Sequence, residues 1–168
     1  MTLKQFVPSK VCLSCDGCCR YKEEENPWRP KVEVSLSDIL LKDTDKDGYI
    51  KTVSCVDGLH RCTFLNLKDN TCRIYKNRPF ECQLYPFVLT RWEGRPSLCV
   101  HLSCPFVQEQ HQKESFKEYI RYLKEYFSGK AVLEFLKENP SLVGDYSEYK
   151  DELEFVLSLD FPPQADPL

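Results

Sequence analysis

Short apolar runs, interrupted every few residues by Pro, Gly, Asn or Asp, fill the first two thirds of the chain. Only the last third carries the three-and-four spacing of amphipathic helices. Residues 1–20 read as a loop. The stretch NPWRPKVEVSLSDILLKD starts extended and then predicts a short helix from about Leu36, with Ser35 as N-cap and Asp38 completing a capping box. A polar loop, KDTDKDGY, follows. YIKTVSCV and RCTFLNL have strand character, and RCTFLNLKDNTCRIY predicts a hairpin turning at Lys68 to Asn70. NRPFECQLYPF predicts a short helix capped by Asn77, with Pro79 in its first turn and Pro86 ending it. FVLTRW and RPSLCVHLSC flank Gly94 as a second hairpin.

From about Val107 to Ser128, Phe116, Tyr119, Ile120, Leu123 and Phe127 recur on one helical face, with Gly129 as the expected C-cap. A shorter helix is expected from Ala131 to Glu138, ending at Pro140. A third is expected from about Tyr146 to Leu159 through Leu153, Val156 and Leu157, followed by a frayed tail, FPPQADPL. The predicted class is α+β: a small irregular cysteine-rich β and loop framework over residues 1–106, packed against helices over residues 107–160. With 168 residues, the chain is expected to form a single domain.

Charge narrows the function classes. The 23 basic and 26 acidic residues are mixed along the chain, with no polybasic block to neutralise phosphates, so nucleic acid is not an expected partner. No apolar run approaches the roughly 20 residues that cross a bilayer, so no membrane association is expected. MTLKQFVPSKVC lacks the apolar centre of an export signal, and the protein is expected to be soluble and cytoplasmic.

Ten cysteines change the picture. They stand at 12, 15, 18, 19, 55, 62, 72, 82, 99 and 104, and thiols in a reducing compartment mark metal binding more often than disulfides. CLSCDGCC spaces the first three as C-x2-C-x2-C, the start of the bacterial ferredoxin run, whose remote fourth Cys precedes a proline as Cys104 precedes Pro105. Adjacent side chains diverge, so Cys18 and Cys19 are poorly placed for two vertices of one tetrahedral ion. A vicinal disulfide between them would close a strained ring. In a regular hairpin Cys72 would face Asn66, four positions from Cys62, or roughly 13 Å at about 3.4 Å per residue. Thiolates bind one zinc at about 2.3 Å, so either the strand bends at Cys62 or the two serve separate centres.

CLSCDGCC, then CTFLNLKDNTCRIYKNRPFECQLYPF, then a late Cys-Pro, resembles the YkgJ family of cysteine-cluster proteins, which are zinc- or iron-chelating domains. The resemblance spans Cys12 to Pro105. It implies Cys12, Cys15, Cys18, Cys19, Cys62, Cys72, Cys82 and Cys104 as metal ligands, and leaves Cys55 and Cys99 outside the pattern as small apolar residues.

Eight thiolates suit two four-coordinate zinc ions, or an iron–sulfur cluster with thiols remaining. The ferredoxin-like start favours iron, and the scattered later cysteines favour zinc. A zinc held by four thiolates carries excess negative charge, which calls for nearby cations or N–H donors. Of Arg20, Arg61, Arg73 and Arg78, Arg78 is the selected partner.

DTDKDGYI, from Asp43, begins like a calcium-binding loop, but Ser54 stands where a bidentate Glu is needed. A solvated acidic turn is the preferred reading. His60 and His101 lie near cysteines and are read as solvated. No nucleophile–base signature, phosphate loop or zinc-protease motif occurs. Two functions therefore stand: an iron–sulfur or other redox-competent protein serving electron transfer or metal delivery, and a structural zinc module that binds a protein partner.

Overall fold

In the computed structural model, which describes residues 3–15 and 17–160, the chain divides after Gln83. One unit is Val7–Gln83; the other joins residues 3–6 to residues 84–160. Both helices and sheets are present, so the α+β class holds.

The first unit is built from short pieces. Helix α1 (Ser9–Ser14) leads through a 3-10 turn at Gly17–Cys19 into β1 (Arg20–Tyr21). The chain then runs extended to helix α2 (Val34–Leu40) and continues to β2 (Thr52–Ser54), β3 (His60–Cys62), β4 (Leu65–Asn66), β5 (Thr71–Cys72) and helix α3 (Phe80–Leu84). Strands β1, β3 and β2 form an antiparallel sheet in that order, and β4 pairs with β5. Tyr21, Val32, Leu40, Ile50, Phe64 and Leu65 make a small apolar core that includes Cys62, with Cys19 and Cys72 packed against it. Sulfur therefore takes core positions that carbon would occupy in a larger domain.

Several sequence expectations shift here. The loop read over residues 1–20 contains α1. Helix α2 begins before Ser35, and its N-cap residue is Glu33, which makes no side-chain cap. Glu33 is occupied elsewhere, since its Oε2 accepts the Phe80 N–H at 3.0 Å. The β4–β5 turn holds four residues, so Cys72 faces Leu65 and not Asn66. In the acidic loop, Asp45 Oδ1 accepts the N–H groups of Asp47 and Tyr49 while Oδ2 meets Arg29 at 2.7 Å. Arg29 and Lys31 also lie over the Tyr49 ring. Arg29 and Lys31 thus both bring positive charge beside this turn.

The second unit centres on an antiparallel sheet of β6 (Phe87–Trp92), β7 (Arg95–His101) and β8 (Leu153–Ser158), with β7 in the middle. The predicted hairpin turns at Glu93 and Gly94, both in the left-handed region at φ 52° and 78°. Two such residues make the two-residue turn whose twist suits paired strands. Helices α4 (Pro105–Gln110), α5 (Glu114–Ser128) and α6 (Lys130–Glu138) follow. Phe6 packs against Phe87, Phe106, Phe116 and Tyr119, which ties the N-terminal segment to this unit.

Three helix expectations are corrected. The single helix expected from Val107 is two, because the chain is extended at Lys113. Gly129 is no left-handed cap; at φ −69° it is the joint between α5 and α6. The helix expected over Tyr146–Leu159 is a 3-10 run, Ser147–Glu152, followed by β8. Its apolar residues fit either period over so short a run, and the open edge of β7 decides for strand. The tail from residue 161, expected to fray, lies outside the described residues.

Candidate metal centre

Seven of the eight cysteines implied as ligands belong to the first unit, and six of them act electrostatically on one another: Cys12 on α1, Cys18 and Cys19 in the 3-10 turn, Cys62 ending β3, Cys72 ending β5 and Cys82 on α3. Cys18 is common to all of these couplings. Its charge would raise the pKa of Cys12, Cys19, Cys62, Cys72 and Cys82 alike. The adjacent pair is in direct contact, with a hydrogen bond between the Cys18 and Cys19 side chains.

The two hairpin thiols are set by one local device used twice. After Cys62 the chain leaves β3 and turns at Thr63–Phe64. The backbone N–H groups of Phe64 and Leu65 then point back at the Cys62 sulfur. After Cys72 the chain turns at Arg73–Ile74 and the Ile74 N–H points at the Cys72 sulfur. In each case the residue two places on supplies an amide donor and an apolar side chain for the core, Phe64 and Ile74. The C-x-F-L and C-x-I-Y motifs are thereby explained as donor geometry plus packing. The chain bends at Cys62, as one alternative required, and the Cys72 charge acts on the Cys62 thiol.

Arginines staple these turns. Arg61 Nη1 donates to the Leu65 carbonyl at 2.9 Å, and Arg73 Nη2 donates to the Thr63 carbonyl. Arg73 N–H also bonds the Phe64 carbonyl at 3.0 Å, which fixes one turn against the other. Arg78 is different: its Nη1 reaches the Cys12 sulfur at 3.6 Å. Tyr21 donates to the Cys18 carbonyl at 3.1 Å, and burial first, then the charges of Cys62, Cys19, Cys82 and Cys18, would hold its phenol well above the usual pKa.

Burial pushes these thiols up from their ordinary pKa. Cys62 reaches about 11, through burial first and the Cys72 and Cys18 charges after it, against the lowering by the Phe64 and Leu65 amides. Cys82 is raised well above the usual range by burial and then by Cys62 and Cys18. Cys19 is raised by its hydrogen bond to Cys18 first and by burial second. Beside Cys82, burial pushes the Glu81 carboxyl up to about 8, although its Oε2 accepts the Lys31 N–H at 2.6 Å. Left to itself the cluster holds its protons. A soft cation would replace them and release them to solvent.

Among the described residues, no three Cys, His, Asp or Glu side chains stand ready-formed to hold a metal ion. The donor set nevertheless fits a thiophilic metal. It combines soft sulfurs from five segments with amide donors aimed at two of them and a buried guanidinium aimed at a third.

Other candidate residues stand apart. Cys15, just after α1, is exposed. Cys104 belongs to the second unit, where it is buried as the residue preceding α4. Cys99 is fully buried in β7, and burial raises its pKa to about 11. Cys55 begins the β2–β3 turn, its N–H bonded to the Leu59 carbonyl. His101, read from sequence as solvated, is buried instead, between Tyr85 Oη at 3.3 Å and Glu152 Oε2 at 3.2 Å. His60 Nδ1 is buried with no hydrogen-bond partner among the described residues.

A family model described as "CxxCxxCC: Putative zinc- or iron-chelating domain" matches residues 11–100. The chain is also 32% identical over 92 residues to "Uncharacterized protein MJ0661" of Methanocaldococcus jannaschii, an alignment covering 52% of this chain and 50% of that one. The chain thus spans about half the length of this relative. No solved structure matches.

Proposed function

Because this chain belongs to the CxxCxxCC family of zinc- or iron-chelating domains, we propose that its metal is bound within residues 7–83, with Cys12, Cys18, Cys19, Cys62, Cys72 and Cys82 as the thiolate donors. The observation that carries this reading is the repeated turn in which a backbone N–H two residues after Cys62, and again after Cys72, is directed at the sulfur. Such donors offset the charge of a thiolate and bond a neutral thiol, a weak acceptor, less strongly. Cys15, the further cysteine of the family pattern in this unit, extends the donor set.

Iron in this site would give a one-electron centre, its potential tuned by the amides on Cys62 and Cys72. Zinc would serve folding alone. The zinc reading, a module that docks on a protein partner, draws on the exposed Val34 (68%), Ile39 (75%) and Leu41 (68%) along and just after α2.

Preparation without oxygen followed by elemental analysis tests the proposal. Zinc or iron at one or more per chain supports it, and a brown colour that bleaches in air selects iron–sulfur. Folded protein with neither metal removes it.

A further inference from the structure

Arg78 is only 7% exposed, an unusual place for a guanidinium unless an anion accompanies it. Contacts to Tyr75, Gln83 and Cys12 help to hold it. Its Nε donates to the Tyr75 carbonyl at 3.0 Å, and its Cζ lies 3.9 Å from the centroid of the Tyr75 ring. Gln83 Nε2 donates to the Arg78 carbonyl at 2.7 Å. Arg78 Nη1 donates to the Cys12 sulfur at 3.6 Å, and the Tyr75 side chain hydrogen-bonds the same sulfur.

The charge is felt more widely than the contact. Arg78 acts on Cys12 from α1, Cys72 from β5 and Cys82 from α3, three thiols that the fold brings from distant parts of the unit. Cys62 and Cys72 have amide donors of their own, while Cys12 takes its donors from Arg78 and Tyr75. A divalent ion with four thiolates leaves net negative charge, and a stacked, permanently charged fork suits that role.

Resting on the reading of this unit as a thiolate metal centre, we propose that Arg78 is its positioning residue: held flat on Tyr75, it fixes the Cys12 sulfur, supplies counter-charge and sets how tightly the metal is held. Lysine would keep the charge but neither the stacking nor the fork.

Anaerobic cobalt(II) titration of the full chain tests this, with wild type, Arg78→Gln and Arg78→Lys compared against a competing chelator. Arg78→Gln is expected to bind the same number of ions about 10- to 100-fold more weakly. Its sulfur-to-cobalt charge-transfer band should move to longer wavelength, because a thiolate without its donor gives up electron density more readily. Arg78→Lys should recover most of the affinity and show a smaller band shift. An unchanged affinity and band in Arg78→Gln would overturn the assignment. So would equal losses in both variants with the band unmoved, which would mark a purely structural arginine. If Arg78→Gln does not fold, the Arg78→Lys band decides: shifted supports, unmoved overturns. A wild type that takes up no cobalt would instead remove the metal-centre reading itself.

Discussion

Leu65 faces Cys72 across the β4–β5 hairpin while its own N–H points at the sulfur of Cys62. One residue thus couples two thiols, and the register of a four-residue turn decides whether they meet. Asn70 closes that turn at φ 53°, a left-handed conformation that Asn tolerates and a β-branched residue does not. Asn70→Val should destabilise the metal-loaded protein by about 1–2 kcal/mol in denaturant melts, and Asn70→Gly by much less. Equal stability of the two would show that the turn does not control the register.

The packing half of the Cys62 motif has its own prediction. Phe64 is buried in the core of the first unit, with Arg73 over its ring at 5.9 Å. Phe64→Ala should cost about 3 kcal/mol, since it opens a cavity beside the sulfur. Chemical denaturation of the metal-loaded protein measures this. A loss under 1 kcal/mol would mean that the turn holds without its apolar anchor.

How far the sequence carried the site depends on which physical signal was local. Spacing and the bend alternative at Cys62 were readable because each follows from neighbours in the chain, whereas Arg78, singled out for its nearness in sequence to Cys72 and Cys82, contacts Cys12, 66 positions away. The amide donors of Phe64 and Ile74 were missed, although the repeated Cys-x-apolar pattern was their signal. The register slipped by one because turn length, not strand pattern, sets it. In the second unit, β8 was unreadable as a strand because its pairing partner, β7, lies far away in sequence. Helices α5 and α6 were legible from their apolar recurrence, which survives without any long-range contact.

His101 supplies a pH signature in the second unit. Burial lowers its pKa, and the hydrogen bond and charge of Glu152 recover only part of that. The unfolded chain takes up a proton near pH 6.5 while the folded imidazole resists it. Below about pH 6.5 the unfolded state therefore binds more protons, and stability falls as pH drops toward the lowered folded value. Wild type should lose melting temperature between pH 7.5 and 5 more steeply than His101→Gln. Parallel curves would show that His101 does not titrate differently on folding.

Cysteine substitutions separate donors from bystanders. Cys82→Ser should lose metal or soluble folded protein. Cys99→Ala, in the core of β7, should keep full metal content with a modest loss of stability of about 1 kcal/mol. Equal metal content in both would contradict the donor assignment.

The central claim is that the gathered thiols of the first unit exchange their protons for a bound metal. Elemental analysis of oxygen-free wild type beside Cys62→Ser and Cys72→Ser tests it most directly. The account predicts at least one zinc or iron per chain in wild type and a marked drop in each variant. Native, folded wild type with no metal and all ten cysteines titrating as free thiols would contradict it.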